Sequence, residues 1–289
     1  MKVLCFLTLL CWLQSVYAQR INFKTVSNHM IADVMINGSI AAKAFMDTGS
    51  QITIMDSTFA VNTGFKINQE GKRLKIRNPL ITYYCYPLMD DTINVNGLRN
   101  SRPVYVGNIK RRKGFGDIDI IIGSGYIAQD GSRMLTLNIA KEYVEYGRKE
   151  IGEGFKKGIM TVDERGFVST DAPLRLYTKN DGKGQLGGRF VIDTGNANFF
   201  FLCGKNERVS EFLKKKGIEP EEKFIQGKTI QYIRMQSAEI LGKEVMMKDA
   251  PLLILPRMRF YDYTGAIGFK FLKEVEMILD YDNNLLYIK

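Results

Sequence analysis

Two short segments of the chain place an aspartate in the same setting. Asp-Thr-Gly stands between two apolar runs in FMDTGSQITIM (45–55) and again in GGRFVIDTGNANFFF (187–201). One such tripeptide arises by chance in many chains of this size, whereas two in matching surroundings indicate a repeat. Two carboxyl groups within about 3 Å of each other cannot both ionise, so one keeps its proton while the other is charged. Asp47 and Asp193 are therefore candidates for a pair that activates water and donates a proton.

A second shared pattern lies downstream of each aspartate. Two isoleucines lead into Gly123, 76 residues after Asp47, and Ala-Ile leads into Gly268, 75 residues after Asp193. A glycine has no side chain, so a strand can approach another segment closely at that point. We therefore expect each late glycine to let its strand pack against the loop that carries the aspartate.

The paired FMDTGS and VIDTGN motifs, each followed by its own apolar-apolar-glycine, resemble those of aspartic proteases of the pepsin and retropepsin type. The resemblance covers nearly all of the chain after the first 18 residues, and YTGAIGFKFLKEVEMILDYDNNLLYIK is similar to the C-terminal part of a bacterial retropepsin-like unit. It implies a mostly β, bilobal fold, with two homologous barrel-like lobes, short helices and a cleft between the lobes. It also implies hydrolysis of peptide bonds in a polypeptide substrate by water that Asp47 and Asp193 activate, without a cofactor or a metal.

The residues around each aspartate have expected roles in such a site. Gly49 and Gly195 allow sharp turns that bring backbone N–H groups to a carboxylate. The resemblance implies that Thr48 and Thr194 cross-link the two loops through hydroxyl hydrogen bonds.

The fourth position of the motif differs between the two halves. We expect the Ser50 hydroxyl to donate to Asp47 and favour its ionised form. Asn196 stands where pepsin-like enzymes usually carry Ser or Thr and retropepsins often carry Ala. An amide also donates hydrogen bonds, so the pH optimum stays open, and so does the site of the shared proton, because the pair titrates as a unit.

Each half contains a hairpin pattern that matches, in order, the flap of a retropepsin unit. These patterns are RLKIRNPLITYYCYP (73–87), turning near Arg77-Asn78-Pro79, and KFIQGKTIQYIRMQ (223–236), turning near Gln226-Gly227-Lys228. In pepsin-like enzymes a tyrosine of the first flap forms a hydrogen bond near the aspartates. Packing and surface positions on an amphipathic hairpin would explain the tyrosines here equally well. The candidates are Tyr83, Tyr84, Tyr86 and Tyr232.

Local patterns independently predict many short strands with little helix. A hairpin is expected to turn at Asn37-Gly38, and a second hairpin, PLRLYTKNDGKGQLGGRFVI, between Asn180 and Gly184. Short helices are expected in MDSTFAVNTG and in NERVSEFLKKKG, where Gly217 is the C-cap and the lysines oppose the helix dipole.

The ends of the two halves also correspond, because MLTLNIAKEYVEY, from Met134, matches MILDYDNNLLYIK, from Met277. The charged stretch from Lys141 to about Lys157 is the expected connection. The predicted domains are a signal peptide (1–18), a first retropepsin-like lobe (19–157) and a second one (158–289).

The N-terminal segment reads as a secretory signal. Lys2 supplies the positive charge, Val3 to Leu13 the apolar run, and Val16-Tyr17-Ala18 the cleavage site. The run is too short for a stable membrane span. We expect export to a bacterial periplasm or envelope, or secretion. A eukaryotic secretory origin stays open, and in that case Asn37-Gly38-Ser39 is a glycosylation acceptor.

The remaining composition limits the other classes of function. The chain has 289 residues and a net charge of +10, but its basic runs at 110–113 and 214–216 come with no nucleic-acid-binding signature, so they are expected to be solvated surface.

The lone His29, expected at the surface or a strand edge, has no catalytic partner set. Cys85 and Cys203 form either one disulfide or two buried thiols. We expect a monomer, because both lobes are in one chain; the alternative function is a catalytically silent peptide-binding protein that retains the fold.

Overall fold

The computed structural model describes residues 19–77, 82–89, 93–99, 103–110, 114–124, 134–147, 150–164, 166–178, 182–225, 228–255 and 262–289. The predicted signal peptide lies outside these ranges, as do the tips of both flap candidates at 78–81 and 226–227. Among the described residues, no helix is long and apolar enough to cross a membrane.

The described residues are mostly in β-strands. The first half contains β1 (Gln19–Asn22), β2 (Lys24–Val26), β3 (His29–Ile36), β4 (Ile40–Asp47), β5 (Thr53–Asp56), α1 (Ser57–Asn62), β6 (Leu74–Arg77), β7 (Thr82–Pro87), β8 (Asn94–Val95), β9 (Leu98–Arg99), β10 (Val104–Gly107), β11 (Ile120–Gly123), β12 (Met134–Asn138) and β13 (Tyr143–Tyr146). The second half contains β14 (Lys156–Val162), β15 (Val168–Asp171), β16 (Leu174–Thr178), β17 (Gly182–Leu186), β18 (Arg189–Asp193), β19 (Phe200–Cys203), α2 (Glu207–Lys216), β20 (Glu221–Ile225), β21 (Lys228–Ile240), β22 (Lys243–Leu255), β23 (Gly265–Gly268), α3 (Phe269–Leu272), β24 (Glu276–Asp280) and β25 (Leu285–Ile288).

Each half is organised around a parallel strand pair that ends at its aspartate. In the first half β11 runs beside β4 and pairs Gly123 with Asp47, and in the second β23 runs beside β18 and pairs Gly268 with Asp193. Both late strands are fully buried, which explains why their sequences are continuously apolar rather than alternating.

The strand that comes after each aspartate loop completes this core. β5 is antiparallel to β11 and parallel to β10, and β19 is antiparallel to β23 and parallel to β22. The two halves therefore repeat one topology. This confirms the mostly β, bilobal fold that the duplicated motifs predict.

A six-stranded antiparallel segment of a 15-stranded sheet joins the two halves, in the order β1-β13-β12-β24-β25-β14. At its centre β12 pairs with β24, with Thr136 opposite Ile278. β14 continues from this sheet into the second half by pairing with β15. The boundary predicted between residues 157 and 158 therefore falls inside a strand.

The turns of this sheet correct the predicted match between its two central tracts. Asn138 accepts a hydrogen bond from the Lys141 N–H, and Asp280 accepts one from the Asn283 N–H. These side chains close equivalent turns, so Asn138 corresponds to Asp280. The match of Met134 with Met277 is therefore wrong by one residue, and Met134 corresponds to Glu276.

The two predicted hairpins before the aspartates form differently. β3 and β4 turn at Asn37-Gly38, where both residues have positive φ, as predicted. β16 and β17 also pair as a hairpin, whose connecting residues 179–181 lie outside the described residues, but β18 then pairs with β15. The β-structure is interrupted between β17 and β18 at Gly188. Its φ is 141°, and a Cβ at this position would clash with the Thr264 side chain.

Both predicted helices are present. The Asp56 carboxylate caps α1 by accepting from the Thr58 and Phe59 N–H groups. Gly217 ends α2 in the left-handed conformation, next to Lys214, Lys215 and Lys216 in the last turn. These lysines oppose the negative end of the helix dipole.

The two cysteines are free and buried. Cys85 packs in the first half beside Phe45, and Cys203 packs in the second beside Phe201. Burial raises the pKa of each thiol to about 12, because the apolar surroundings disfavour the thiolate. The alternative left open by the sequence is thus decided in favour of two thiols.

The single histidine, His29, begins β3 and is half-buried. Its ring lies edge-on to Phe45 at 5.1 Å between centroids and 6.2 Å from Phe115. It therefore belongs to an aromatic cluster at the start of a strand, as the strand-edge prediction allows.

Candidate active site

The ends of β4 and β18 bring Asp47 and Asp193 to one place. Each aspartate is followed by a tight turn, closed by a backbone hydrogen bond from Ser50 to Asp47 (3.1 Å) and from Asn196 to Asp193 (3.2 Å). The two turns face each other, and every residue of the two Asp-Thr-Gly motifs contributes to the junction.

The two threonines cross-link the turns through reciprocal hydrogen bonds. The Thr48 N–H donates to Thr194 Oγ1 (3.0 Å), and the Thr194 N–H donates to Thr48 Oγ1 (2.9 Å). The Thr48 hydroxyl donates to the Ile192 carbonyl (2.7 Å), and the Thr194 hydroxyl donates to the Met46 carbonyl (2.9 Å). Both side chains are buried, so this reciprocal arrangement fixes the spacing of the two loops.

The two glycines hold the carboxyl groups from both sides. The Gly49 N–H donates to Asp47 Oδ1 (2.9 Å), and the Gly195 N–H donates to Asp193 Oδ1 (3.0 Å). A Cβ on Gly49 would lie 2.1 Å from Asp193 Oδ1, and one on Gly195 would lie 2.3 Å from Asp47 Oδ1. Each glycine therefore leaves space for the opposite aspartate, a role that the sequence did not indicate.

The Asp47 and Asp193 carboxyl groups both lie against Gly49 and Gly195, so the two loops bring them together at one place. Burial and the nearby Asp47 charge raise the pKa of Asp193 well above its usual range, and N–H donors of Gly195 and Asn196 oppose part of that rise. Such a pair takes up and releases one proton over the pH range in which isolated carboxyl groups are already charged.

The side chains after the two motifs do not support the carboxyl groups as expected, although the Asn196 N–H donates to Asp193 Oδ1 (3.1 Å). The Ser50 hydroxyl donates to the Ile52 carbonyl (2.9 Å), so the predicted bond to Asp47 is wrong. Asn196 Oδ1 accepts from the Asn198 N–H (3.1 Å), while Asn196 Nδ2 is buried without a hydrogen-bond partner. In both halves the side chain forms its hydrogen bond with a carbonyl or N–H group of the loop rather than with the aspartate. These side chains therefore stabilise the conformation of the loop.

The late glycines lie directly beneath the loops. A Cβ on Gly123 would lie 2.5 Å from the Ile52 carbonyl oxygen, and one on Gly268 would lie 2.3 Å from the Asn198 carbonyl oxygen. Sequence reasoning did not identify Ser124, whose N–H and hydroxyl both donate to the Ser50 carbonyl (2.7 and 3.0 Å). Its position next to Gly123 in the GSG segment was the available signal.

The flap tyrosines occupy different settings. Tyr84 is exposed and stacks with Arg73, and the Tyr232 hydroxyl donates to Glu221 Oε2 (2.6 Å) at the surface. Tyr86 is half-buried where β7 pairs with β10, and the side chain of Tyr83 lies outside the described residues. The structure thus places Tyr84 and Tyr232 in surface contacts rather than beside the aspartates.

Comparison with known proteins supports the fold. No protein-family model matches the chain, and no curated protein matches it in sequence. Among solved structures, the aspartic proteinase from Irpex lacteus is similar, with a TM-score of 0.58 over 94% of this chain and 97% of that chain, at 10% sequence identity. At that identity the likeness establishes the pepsin-like fold and leaves function to the site itself.

Proposed function

We propose that this protein is an aspartic endopeptidase that hydrolyses peptide bonds with water activated by Asp47 and Asp193. The observation that carries the proposal is that these two carboxyl groups lie against the same pair of glycines, between two cross-linked loops. A fold alone would accommodate many functions, but a pair of carboxyl groups in contact is costly unless it shares a proton.

The proposed mechanism uses this shared proton. The charged carboxylate takes a proton from a water molecule between the two groups, and the water oxygen attacks the carbonyl carbon of the peptide. The protonated carboxyl hydrogen-bonds the carbonyl oxygen as negative charge develops there. The pair then protonates the nitrogen of the leaving amine, which restores the starting state. The two carboxyl groups titrate as a unit, so the shared proton belongs to the pair rather than to one member.

The finer features of the proposal come from the sequence. Each half has its own aspartate, late glycine and flap candidate, so we propose the single-chain, two-lobed retropepsin-like type, acting as a monomer on unfolded polypeptide. Residues 1–18 have the pattern of a signal peptide, so we also propose export to the periplasm, the envelope or the medium.

Cleavage of an unfolded protein substrate across the pH range tests the proposal. Asp47→Asn and Asp193→Asn should each lower the rate on the order of 1000-fold, because neither variant can share a proton between two carboxyl groups. Asp33→Asn, a change of the same kind at an exposed position of β3, is the matched control and should keep full activity. Equal rates in all four proteins would exclude the assignment.

A further inference from the structure

The first strand of the first flap candidate, β6, lies at the edge of its sheet. Within the described residues the sheet begins with β6, whose strand neighbour is β7. The outer edge of such a strand can accept an extended chain as an additional strand, because its backbone donors and acceptors are already aligned.

The two faces of this hairpin differ sharply. Ile76 packs against the buried cluster that contains Cys85, so that face is turned toward the core. Residues of opposite parity point the other way, and Arg73 and Lys75 are exposed. Tyr84 stands opposite Lys75, with the Arg73 guanidinium 4.0 Å and the Lys75 ammonium 5.5 Å from the centre of its ring. The ring positions both cations through cation–π contacts. We call Arg73, Lys75 and Tyr84 the basic strip.

The edge strand of the second half is less basic than that of the first. This strand, β20, begins with Glu221 and Glu222, and Glu221 is engaged by Tyr232 and Arg234. In the first half, by contrast, residues 66–77 contain five Lys or Arg and one Glu. An acidic partner would therefore be attracted more strongly to the first flap candidate than to the second.

We propose that β6 is a docking strand for an acidic, extended segment of polypeptide. The segment would add beside β6 by backbone hydrogen bonds and place acidic side chains, two residues apart, next to Arg73 and Lys75. Alternate side chains of a strand are about 6.6 Å apart in both partners, so the charges match in register. The edge favours a peptide over a nucleic acid, because only a peptide backbone can pair with the aligned N–H and C=O groups. That the docked segment belongs to a substrate rests on the proposed function.

Binding is measured separately from cleavage. The full chain carrying Asp193→Asn is titrated into a fluorescein-labelled peptide of alternating Glu and Thr, and fluorescence anisotropy is recorded at low and high salt. Arg73→Glu combined with Lys75→Glu should weaken binding about tenfold, since two attractive contacts become repulsive. Raising the salt should weaken wild-type binding, because the charges are exposed. An alternating Lys and Thr peptide should not bind.

Lys214→Glu combined with Lys215→Glu is the matched control. It makes the same change in net charge on exposed lysines of α2, in the other half of the chain, and should leave binding unchanged. Equal losses in both double variants would overturn the proposal, as would equal binding of a backbone N-methylated peptide, which cannot pair as a strand. Equally tight binding of a single-stranded oligonucleotide at the strip would also overturn it.

The docking strand and the protease activity can fail independently. Cleavage of a neutral peptide by the wild-type chain, without selective binding of the acidic peptide, would leave the proposed function intact and reject the docking strand. Selective binding of the acidic peptide by a wild-type chain that cleaves no peptide would support the docking strand and reject the proposed function. The docked segment would then be a ligand rather than a substrate.

Discussion

The two halves of the chain agree closely at the aspartates and diverge away from them. Both have the same parallel strand pair, the same turn and the same cross-linking threonine. Beyond the flap candidates, however, the first half divides its chain into β7 to β10, whereas the second runs through two strands of 13 residues each, β21 and β22.

The turns within these divergent regions still correspond. Asn96-Gly97 and Leu241-Gly242 both adopt two successive positive φ angles. In the second half the register between β21 and β22 shifts after Met235. Lys248 and Asp249, on the opposite strand at this point, also have positive φ angles. The difference teaches that the geometry of the carboxyl pair constrains only a small core, and that the surrounding sheet can be interrupted or continuous without moving it.

The largest effect is expected from substitution of the two glycines that face the opposite aspartates. Gly49→Ala and Gly195→Ala should each lower cleavage at least about 100-fold, because the added methyl group lies within 2.1 or 2.3 Å of a carboxyl oxygen and must push the pair apart. Gly116→Ala is a suitable control, since nothing lies near its Cβ position. Rates are compared at matched concentrations of folded protein. Retained activity in either motif variant would contradict the described contact.

The threonine cross-link should respond equally from either side. Thr48→Val and Thr194→Val each leave one N–H and one carbonyl group buried without a partner, so the free energy of unfolding should fall by about 2–4 kcal/mol in both. Urea denaturation measures this loss, and Thr58→Val, at an exposed position of α1, serves as the control. Unequal losses in the free energy of unfolding would show that the two loops do not stabilise each other equally.

The fourth position of the motif tests how far the two halves differ at the carboxyl groups. Asn196→Ser gives the second half the residue of the first, whose hydroxyl donates to a loop carbonyl, so the acidic limb of the pH–rate profile should move by less than about 0.3 pH units. Ser50→Ala should also leave that limb in place, because the Ser50 hydroxyl donates to the Ile52 carbonyl. A larger shift of the limb in either variant would contradict this interpretation.

The raised pKa of Asp193 also predicts how stability depends on pH. The folded state holds a proton that the unfolded chain releases near pH 4, so this contribution to stability is complete below that value and is lost as pH rises through the folded-state pKa. Asp193→Asn removes the titration, so its stability relative to the wild type should improve as pH rises from about 4 toward neutrality. Parallel urea curves at several pH values check this, and a difference that does not vary with pH would contradict it.

The sequence predicted the parts of the site that depend on backbone geometry. A duplicated Asp-Thr-Gly with a late glycine at nearly constant distance determines which strands pair, and the structure pairs Gly123 with Asp47 and Gly268 with Asp193. The partners of Ser50 and Asn196 could not be predicted, because local carbonyl and N–H groups compete with the carboxylates for the same side chains. The one-residue error at Met134 has a similar origin, since apolar residues fit either register and only the turn side chains distinguish them.

The central sheet has a consequence for the order of folding. Its middle pair joins β12 to β24, which are separated by some 140 residues of chain, and its outer strands β1 and β14 pair with β13 and β25. Contacts between such distant segments form late, because a long loop must close before they contribute. A growing chain that has produced Asp47 therefore carries an incomplete site through most of its synthesis. The second carboxyl group arrives only with the last third of the chain, so the carboxyl pair is assembled only once both halves have been made and have folded together.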